Sequence, residues 1–347
     1  MTLQSLFDCQ WPIIQAPMAG AQNHRLAAAV CNAGGLGSLP CAMLDASGLR
    51  AELAALKAKT AQPFNLNFFC HTPAAAEPQQ EDAWRSSLAP YYRELGIDPA
   101  SISAGAGRQP FSDELARVVE EYRPAVVSFH FGLPGAELLA RVKACGAKVL
   151  SSATTVEEAL WLEAQGVDAI IAQGLEAGGH RGHFLDLDIS RQLGTFALLP
   201  QIVQAVRVPV IAAGGIADAS GVRAAMALGA AGVQVGTAYL CCPEATTSAV
   251  HRAALTSPEA RHTALTNLFS GRPARSIVNR LIRELGPISS MAPGFPLATA
   301  AVAPLRSTAE SLGSGDFSPL WAGQNASGCR NIPAADLTRE LASGCAR

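Results

Sequence analysis

Two glycine loops follow short apolar runs in the second half of the chain, in Ala213-Gly214-Gly215-Ile216 and Gln234-Val235-Gly236-Thr237. Without a Cβ in the way, successive backbone N–H groups can approach a phosphate, and a helix starting nearby adds a favourable dipole. Upstream, Gln173-Gly174-Leu175-Glu176-Ala177-Gly178-Gly179-His180-Arg181-Gly182 closes another apolar run. Two glycines before a histidine admit a flat ligand, with the imidazole beside it. An imidazole near neutral pKa can take a proton from a carbon acid. His180 is therefore the candidate catalytic residue, although a histidine that merely caps the loop would read the same way. His183 is a rival beyond the glycine turn. His130, in Ser128-Phe129-His130-Phe131-Gly132, either orients an anionic substrate or sits at the edge of the core. No cysteine falls between Cys145 and Cys241, so the loops around His180 hold no thiol nucleophile. HExxH, paired-carboxylate and Ser-His-Asp spacings are missing too, so the reaction is expected to belong to a cofactor.

These residues share one placement, since each stands at the end of a short apolar run. The expected strands are Pro12–Met18, Gly35–Leu39, Phe64–Phe68, Ala125–Phe129, Lys148–Ser152, Ala169–Gln173, Pro209–Ala213 and Gly232–Val235. Helical patterns lie between them, among them His24–Asn32, Ser47–Lys59 with a serine cap, Phe111–Glu121, Gly135–Cys145, Val156–Gln165 capped by Thr155, Leu198–Val206 and Ala219–Leu228. Eight strands alternating with helices imply parallel pairing through right-handed crossovers, and eight such units close into a (β/α)8 TIM barrel. In that fold the loops after the last two strands recur as a phosphate site, and catalytic groups stand at the strands' C-terminal ends. An open doubly wound sheet would carry GxGxxG after its first strand, where Pro17-Met18-Ala19-Gly20 stands instead. The expected division is a barrel over 1–240 and an extension over 241–347 that packs on it and contributes to the substrate pocket. The segment His71–Gln109 reads as an excursion over the barrel mouth, and Leu265–Leu285 contains a basic helical stretch around Phe269–Leu285.

Composition narrows the partners. The chain of 347 residues is 49% hydrophobic and 16% charged, which suits a parallel sheet covered by helices. A net charge of -2 without a Lys/Arg run argues against nucleic acid and anionic membranes. Nine cysteines without a CxxC predict reduced thiols and no metal site. The start of the chain lacks signal-peptide character and no apolar run approaches the ~20 residues of a membrane span. A cytoplasmic monomer or homodimer acting on a small molecule is expected.

The same segments resemble the nitronate monooxygenases, and their class I branch in particular. The resemblance rests on Gln15-Ala16-Pro17-Met18, Gly34-Gly35-Leu36-Gly37, Asn65-Leu66-Asn67-Phe68, the His130 segment, the His180 loop, Ala213-Gly214-Gly215-Ile216, Phe269-Ser270-Gly271-Arg272 and Leu320-Trp321-Ala322-Gly323-Gln324. It implies a barrel with non-covalent FMN that oxidises alkyl nitronates such as propionate 3-nitronate with O2. His180 would remove the α proton of neutral nitroalkanes and His130 would face the substrate. Pro17, Met18, Asn67, Gln173, Gly178, Gly179, Gly214, Gly215, Gln234, Val235, Gly236, Thr237, Trp321 and Gln324 would hold FMN. Some class I members line the pocket with tyrosines and a lysine from the extension. Here the last tyrosine is Tyr239, and Phe295 and Arg306 are the candidates in that region. The Gly-Gly-His loop is shared with FMN-dependent enoyl reductases, so an NAD(P)H reductase of enoyl-thioester or quinone type is the alternative.

Overall fold

The computed structural model describes residues 2–102 and 108–345. Eight parallel strands form one sheet: β1 (Ile13–Gln15), β2 (Gly37–Pro40), β3 (Phe64–Phe69), β4 (Val126–His130), β5 (Lys148–Ala153), β6 (Ala169–Gln173), β7 (Val210–Ala213) and β8 (Gly232–Val235). From β2 onward each pairs with the next, and β8 pairs with β1, placing Ile13 opposite Val233. A parallel bridge between Ile14 and Leu36 brings β1 against the approach to β2, so the strands run round a (β/α)8 barrel.

Side-chain alternation along each strand sorts residues to two sides. Val127, Phe129, Val149, Ile170, Val233 and Val235 belong to the large apolar cluster shared with helix residues such as Leu26, Leu49 and Leu198. Ile14, Leu36, Val126, Leu150, Ile171 and Ile211 belong to a second cluster with Leu3, Leu6 and Phe7 of the N-terminal helix Leu3–Phe7, which plugs one end of the barrel. Above that layer Asn65 donates to Ser38 Oγ at 3.0 Å and to Ser128 Oγ at 2.9 Å, and Asn67 donates to the same Ser128 oxygen at 2.9 Å. This buried polar layer separates the apolar plug from the open mouth, since polar groups in a barrel interior must find partners in one another.

The helix Ala46–Lys57 is capped by Asp45, whose carboxylate accepts from the Gly48 amide at 2.7 Å, rather than by Ser47. Thr155 caps Val156–Ala164 as expected. The stretch Leu265–Leu285 is not one helix. Strands Thr263–Thr266 and Ala274–Ile277 pair antiparallel, and only Arg280–Leu285 is helical. A turn with Gly271 at φ +90° breaks the pattern, and a Cβ there would lie 2.1 Å from the Pro293 carbonyl oxygen. Of the basic residues in this stretch, Arg275 is buried and donates to the Leu175 carbonyl at 2.9 Å.

Ala274–Ile277 also pairs with a two-residue strand, Gly179–His180, with Ala274 opposite His180. The excursion after β3 contains the helix Pro78–Glu94, which packs on Ala298–Ser311; Tyr92 Oη donates to the Ala301 carbonyl at 2.6 Å. Part of that excursion, 103–107, lies outside the described residues. Among the described residues no helix is long and apolar enough to cross a membrane.

Candidate active site

A cavity of about 430 Å³ opens where the barrel strands end. Of the residues expected there, it is lined by Pro17, Met18, Asn67, His130, Gln173, Gly178, Gly179, His180, Gly214, Gly215, Gln234, Gly236, Thr237, Arg306 and Trp321. Three others do not line it. Val235 has the wrong strand parity and packs outward in the large core. Gln324 is exposed and its amide donates to the Glu176 carbonyl at 3.0 Å. Phe295 lies behind the lining, its ring 5.3 Å from that of His180.

At one end stand the two glycine loops. Gly214 and Gly215 take φ +120° and +74°, a region L side chains avoid. A Cβ on Gly214 would meet Thr195 Oγ1 at 2.8 Å and the Ala177 amide nitrogen at 3.1 Å. The amides of Gly215, Ile216, Gly236 and Thr237 make no hydrogen bond to protein among the described residues. Gln234 Oε1 is buried and unpartnered beside them. Glu176 belongs to the frame. Its carboxylate accepts from the Thr195 amide at 2.7 Å and from Thr195 Oγ1 at 2.8 Å, and so caps the helix Thr195–Ala205.

At the other end stands His180. Its carbonyl accepts from Gln173 Nε2 at 3.0 Å and lies 3.1 Å from His130 Nε2. A carbonyl only accepts, so His130 carries its proton on Nε2, and its Nδ1 accepts from Ser152 Oγ at 3.0 Å. Burial, and then the positive charge of Arg272 and Arg181, holds His130 down at about 4 against a hydrogen bond that raises it. The Gln173 side chain is largely committed to the loop, since its Oε1 also accepts from the Gly182 amide at 2.7 Å. Arg181, fully buried, donates to the carbonyls of Gly174 (2.7 Å) and Gln173 (2.8 Å) and ties the loop to β6.

The His180 imidazole is thereby fixed from its backbone. Its Nε2 lies 2.9 Å from Ser270 Oγ, and its ring packs 5.4 Å from Trp321. Burial, reinforced by Arg108, His130, Arg272 and His71, holds its pKa well below 6.5, so the ring is neutral near pH 7. A neutral imidazole keeps a lone pair for a proton. His183 is not placed to serve this cavity, because it is buried outside the lining.

Phe131 adopts φ +70°, a costly conformation for an aromatic residue. It sets the ring 4.6 Å from that of His130 and 4.1 Å from the Arg272 guanidinium. Phe69, Phe131 and Phe295 form an apolar cluster against His180.

Several lining or supporting groups gave no signal in sequence: Ser152, His251, Ser270 and Arg108. Ser152 faces the cavity, whereas the neighbouring Ser151 Oγ is spent on the Gly132 carbonyl at 2.8 Å. Strand parity could have separated the two. Ser270 lies in a segment quoted for the resemblance, but its distance of 90 residues from His180 hid the contact. The cavity lining contains arginines and histidines but no carboxylate and no thiol. Such a wall suits anionic ligands.

The profile of the nitronate monooxygenase family matches residues 1–344. The chain belongs to the nitronate monooxygenase family. It is 45% identical over 342 residues to a nitronate monooxygenase of Paraburkholderia phytofirmans, covering 98% of this chain and 93% of that one. A nitronate monooxygenase of Pseudomonas aeruginosa is 44% identical, with 97% and 96% covered. The solved structure of a nitroalkane oxidase from Streptomyces ansochromogenes superposes with a TM-score of 0.91 at 40% identity, over 98% of this chain and 97% of that one. Membership makes the chain an oxidoreductase of a flavin-using family, with nitronate oxidation as the activity that its relatives support.

Proposed function

We propose that the chain binds FMN in this cavity and oxidises alkyl nitronates of the propionate 3-nitronate type with O2. The supporting observation is one cavity with unpartnered backbone amides at its glycine end, a neutral oriented imidazole at the other, and no anionic side chain between. The residues fit FMN. Gly214 to Ile216 and Gly236-Thr237 would hold the phosphate, where a side chain at Gly214 would collide with the frame. Gln234, with its orphaned oxygen, and Pro17, Met18 and Asn67 would hold the remainder.

Bound there, FMN would supply the redox chemistry between the nitronate and O2. The chain's part is different. A nitronate is already an anion, so it needs attraction and placement rather than a strong base. The positive lining provides the attraction. The phenylalanine cluster excludes water beside His180, which strengthens each electrostatic contact. For a neutral nitroalkane, the neutral His180 ring accepts the α proton, and Ser270 sets its orientation.

The test is anaerobic flavin reduction with propionate 3-nitronate beside NADH and NADPH. Rapid bleaching by the nitronate alone is the expected outcome. Bleaching by NAD(P)H and not by nitronate would replace this reading with the reductase one, and a colourless protein that takes up no FMN would sink both.

A further inference from the structure

Two thiols meet where the C-terminal extension clasps the glycine loops. Cys241 ends the 3-10 turn Thr237–Cys241 that follows β8, and Cys329 arrives from the extension. The two side chains hydrogen-bond each other and pack in one apolar cluster with Leu240, Leu320 and Ala322. Cys329 Sγ also donates to the Thr237 carbonyl at 3.1 Å. The segment that carries Cys329 touches both loops. The Gly323 amide donates to Thr237 Oγ1 at 2.9 Å, and Asn325 Nδ2 donates to the Gly215 carbonyl at 3.1 Å. Gly328 runs so close that a Cβ on it would strike the Ala217 carbonyl.

Neighbouring sulfurs lose a first proton readily and a second one with difficulty, because the remaining proton is shared. The hydrogen bond with Cys329 holds the Cys241 thiol down at about 7 against burial, and the Arg252 charge helps. Arg252 is fixed there, donating to the carbonyls of Cys241 at 2.7 Å and Cys242 at 2.9 Å. The seven cysteines outside the pair are all pushed up, mainly by burial. A thiolate is the reactive form of cysteine, and Cys329 is half-buried, so the pair is open on one side to a small oxidant.

We propose that Cys241 and Cys329 are a modification site for a peroxide, and that the disulfide they form locks the extension onto the loop after β8. In the first step one sulfur of the pair, as thiolate, attacks a peroxide oxygen. An S–O bond forms, the O–O bond breaks, and the departing hydroxide takes a proton to become water. In the second step the partner thiol attacks the sulfenic sulfur. The S–S bond forms, the S–O bond breaks, and hydroxide leaves with the thiol proton as a second water. The sulfurs give up two electrons and the peroxide is reduced to water. The pair stands outside the cavity lining and takes no part in the proton transfer at His180. Its effect on flavin rests on the FMN reading above, whereas its oxidation does not.

The experiment treats wild-type holoenzyme with near-equimolar hydrogen peroxide, alkylates it and maps the peptides by mass spectrometry without reduction. A linked Cys241–Cys329 peptide is expected, with two fewer free thiols than the nine of the reduced chain, and dithiothreitol should reverse it. Cys241→Ser and Cys329→Ser should each lose the link and leave the remaining thiol as a sulfenic acid that dimedone traps, whereas Cys145→Ser should behave as wild type. Oxidation should raise the melting temperature by about 3 °C or more. It should also slow FMN release on dilution, read from the fluorescence of free flavin, by roughly threefold or more. Peroxide should change neither quantity in the two serine variants of the pair. Oxidation that bypasses the pair, or a link from either cysteine to Cys242, would overturn the proposal. So would a link that leaves both melting temperature and flavin release unchanged. If the chain takes up no FMN, the cofactor reading fails, and the peptide map and melting temperature still decide the thiol pair.

Discussion

Acid should destabilise this enzyme well before its carboxylates are neutralised. His130 and His251 are held at about 4 and His183 at about 3, in each case mainly by burial. The unfolded chain takes up protons at these sites as pH falls below about 6.5, whereas the folded chain resists until about 4 or lower. Stability is therefore complete above about 6.5 and is lost as pH falls toward the folded values. At pH 5 each histidine costs about 2 kcal/mol, and the three together about 6 kcal/mol. That is comparable with the ~5–15 kcal/mol that holds a domain folded. The loss also reaches the site, because His130 holds the His180 carbonyl and accepts from Ser152 on the nitrogen that would be protonated. Urea unfolding followed by tryptophan fluorescence at pH 7, 6 and 5 measures the slope. His251→Gln retains an amide donor for the Trp321 carbonyl, which His251 Nε2 meets at 3.1 Å, and removes the titration. The variant should lose about 2 kcal/mol less than wild type between pH 7 and 5. Equal stability at both pH values in wild type, or the same drop in wild type and variant, would refute the argument.

Three further outcomes follow from the site. His180→Asn should keep FMN and lose activity on neutral nitroalkanes by ~10²-fold or more, with nitronate oxidation far less affected; equal loss of flavin and of both activities would make the histidine structural. Gly214→Ala should lower FMN content and stability, because its Cβ enters the frame at φ +120°, whereas Gly146→Ala at φ +84° meets nothing within 4 Å and should cost only backbone strain of ~1–3 kcal/mol with FMN retained. Similar FMN contents in the two variants, measured by absorbance after denaturation, would count against the phosphate site. Ser270→Ala should slow proton abstraction by roughly twofold to tenfold, the worth of one hydrogen bond, without moving nitronate turnover.

The barrel was legible because its signals are local. Short apolar runs and helical spacing recur along the chain, and the strand positions they suggest differ from the observed ones mostly by end residues, as with Ile13–Gln15 inside Pro12–Met18. The glycine loops were legible for the same reason, since a position that needs positive φ or a missing Cβ announces itself by residue type. Strand parity was also available, and it distinguishes Gln234, which faces the cavity, from Val235, which does not.

What the sequence alone determined is the order of elements and the identity of the residues at the strand ends. Closing the barrel decided the rest. His180 stands on a strand only because Ala274–Ile277 pairs beside it, and its ring meets Ser270 across 90 residues of chain. The run around Ala274 reads as a helix by itself, and pairing with Gly179–His180 overrides that preference, because an open ladder edge beside the site gains partners there. Arg108 likewise reaches the cavity only through the fold of the excursion after β3. Local propensity is written in neighbours along the chain, while the field at an active site is the sum over groups that only tertiary packing brings together.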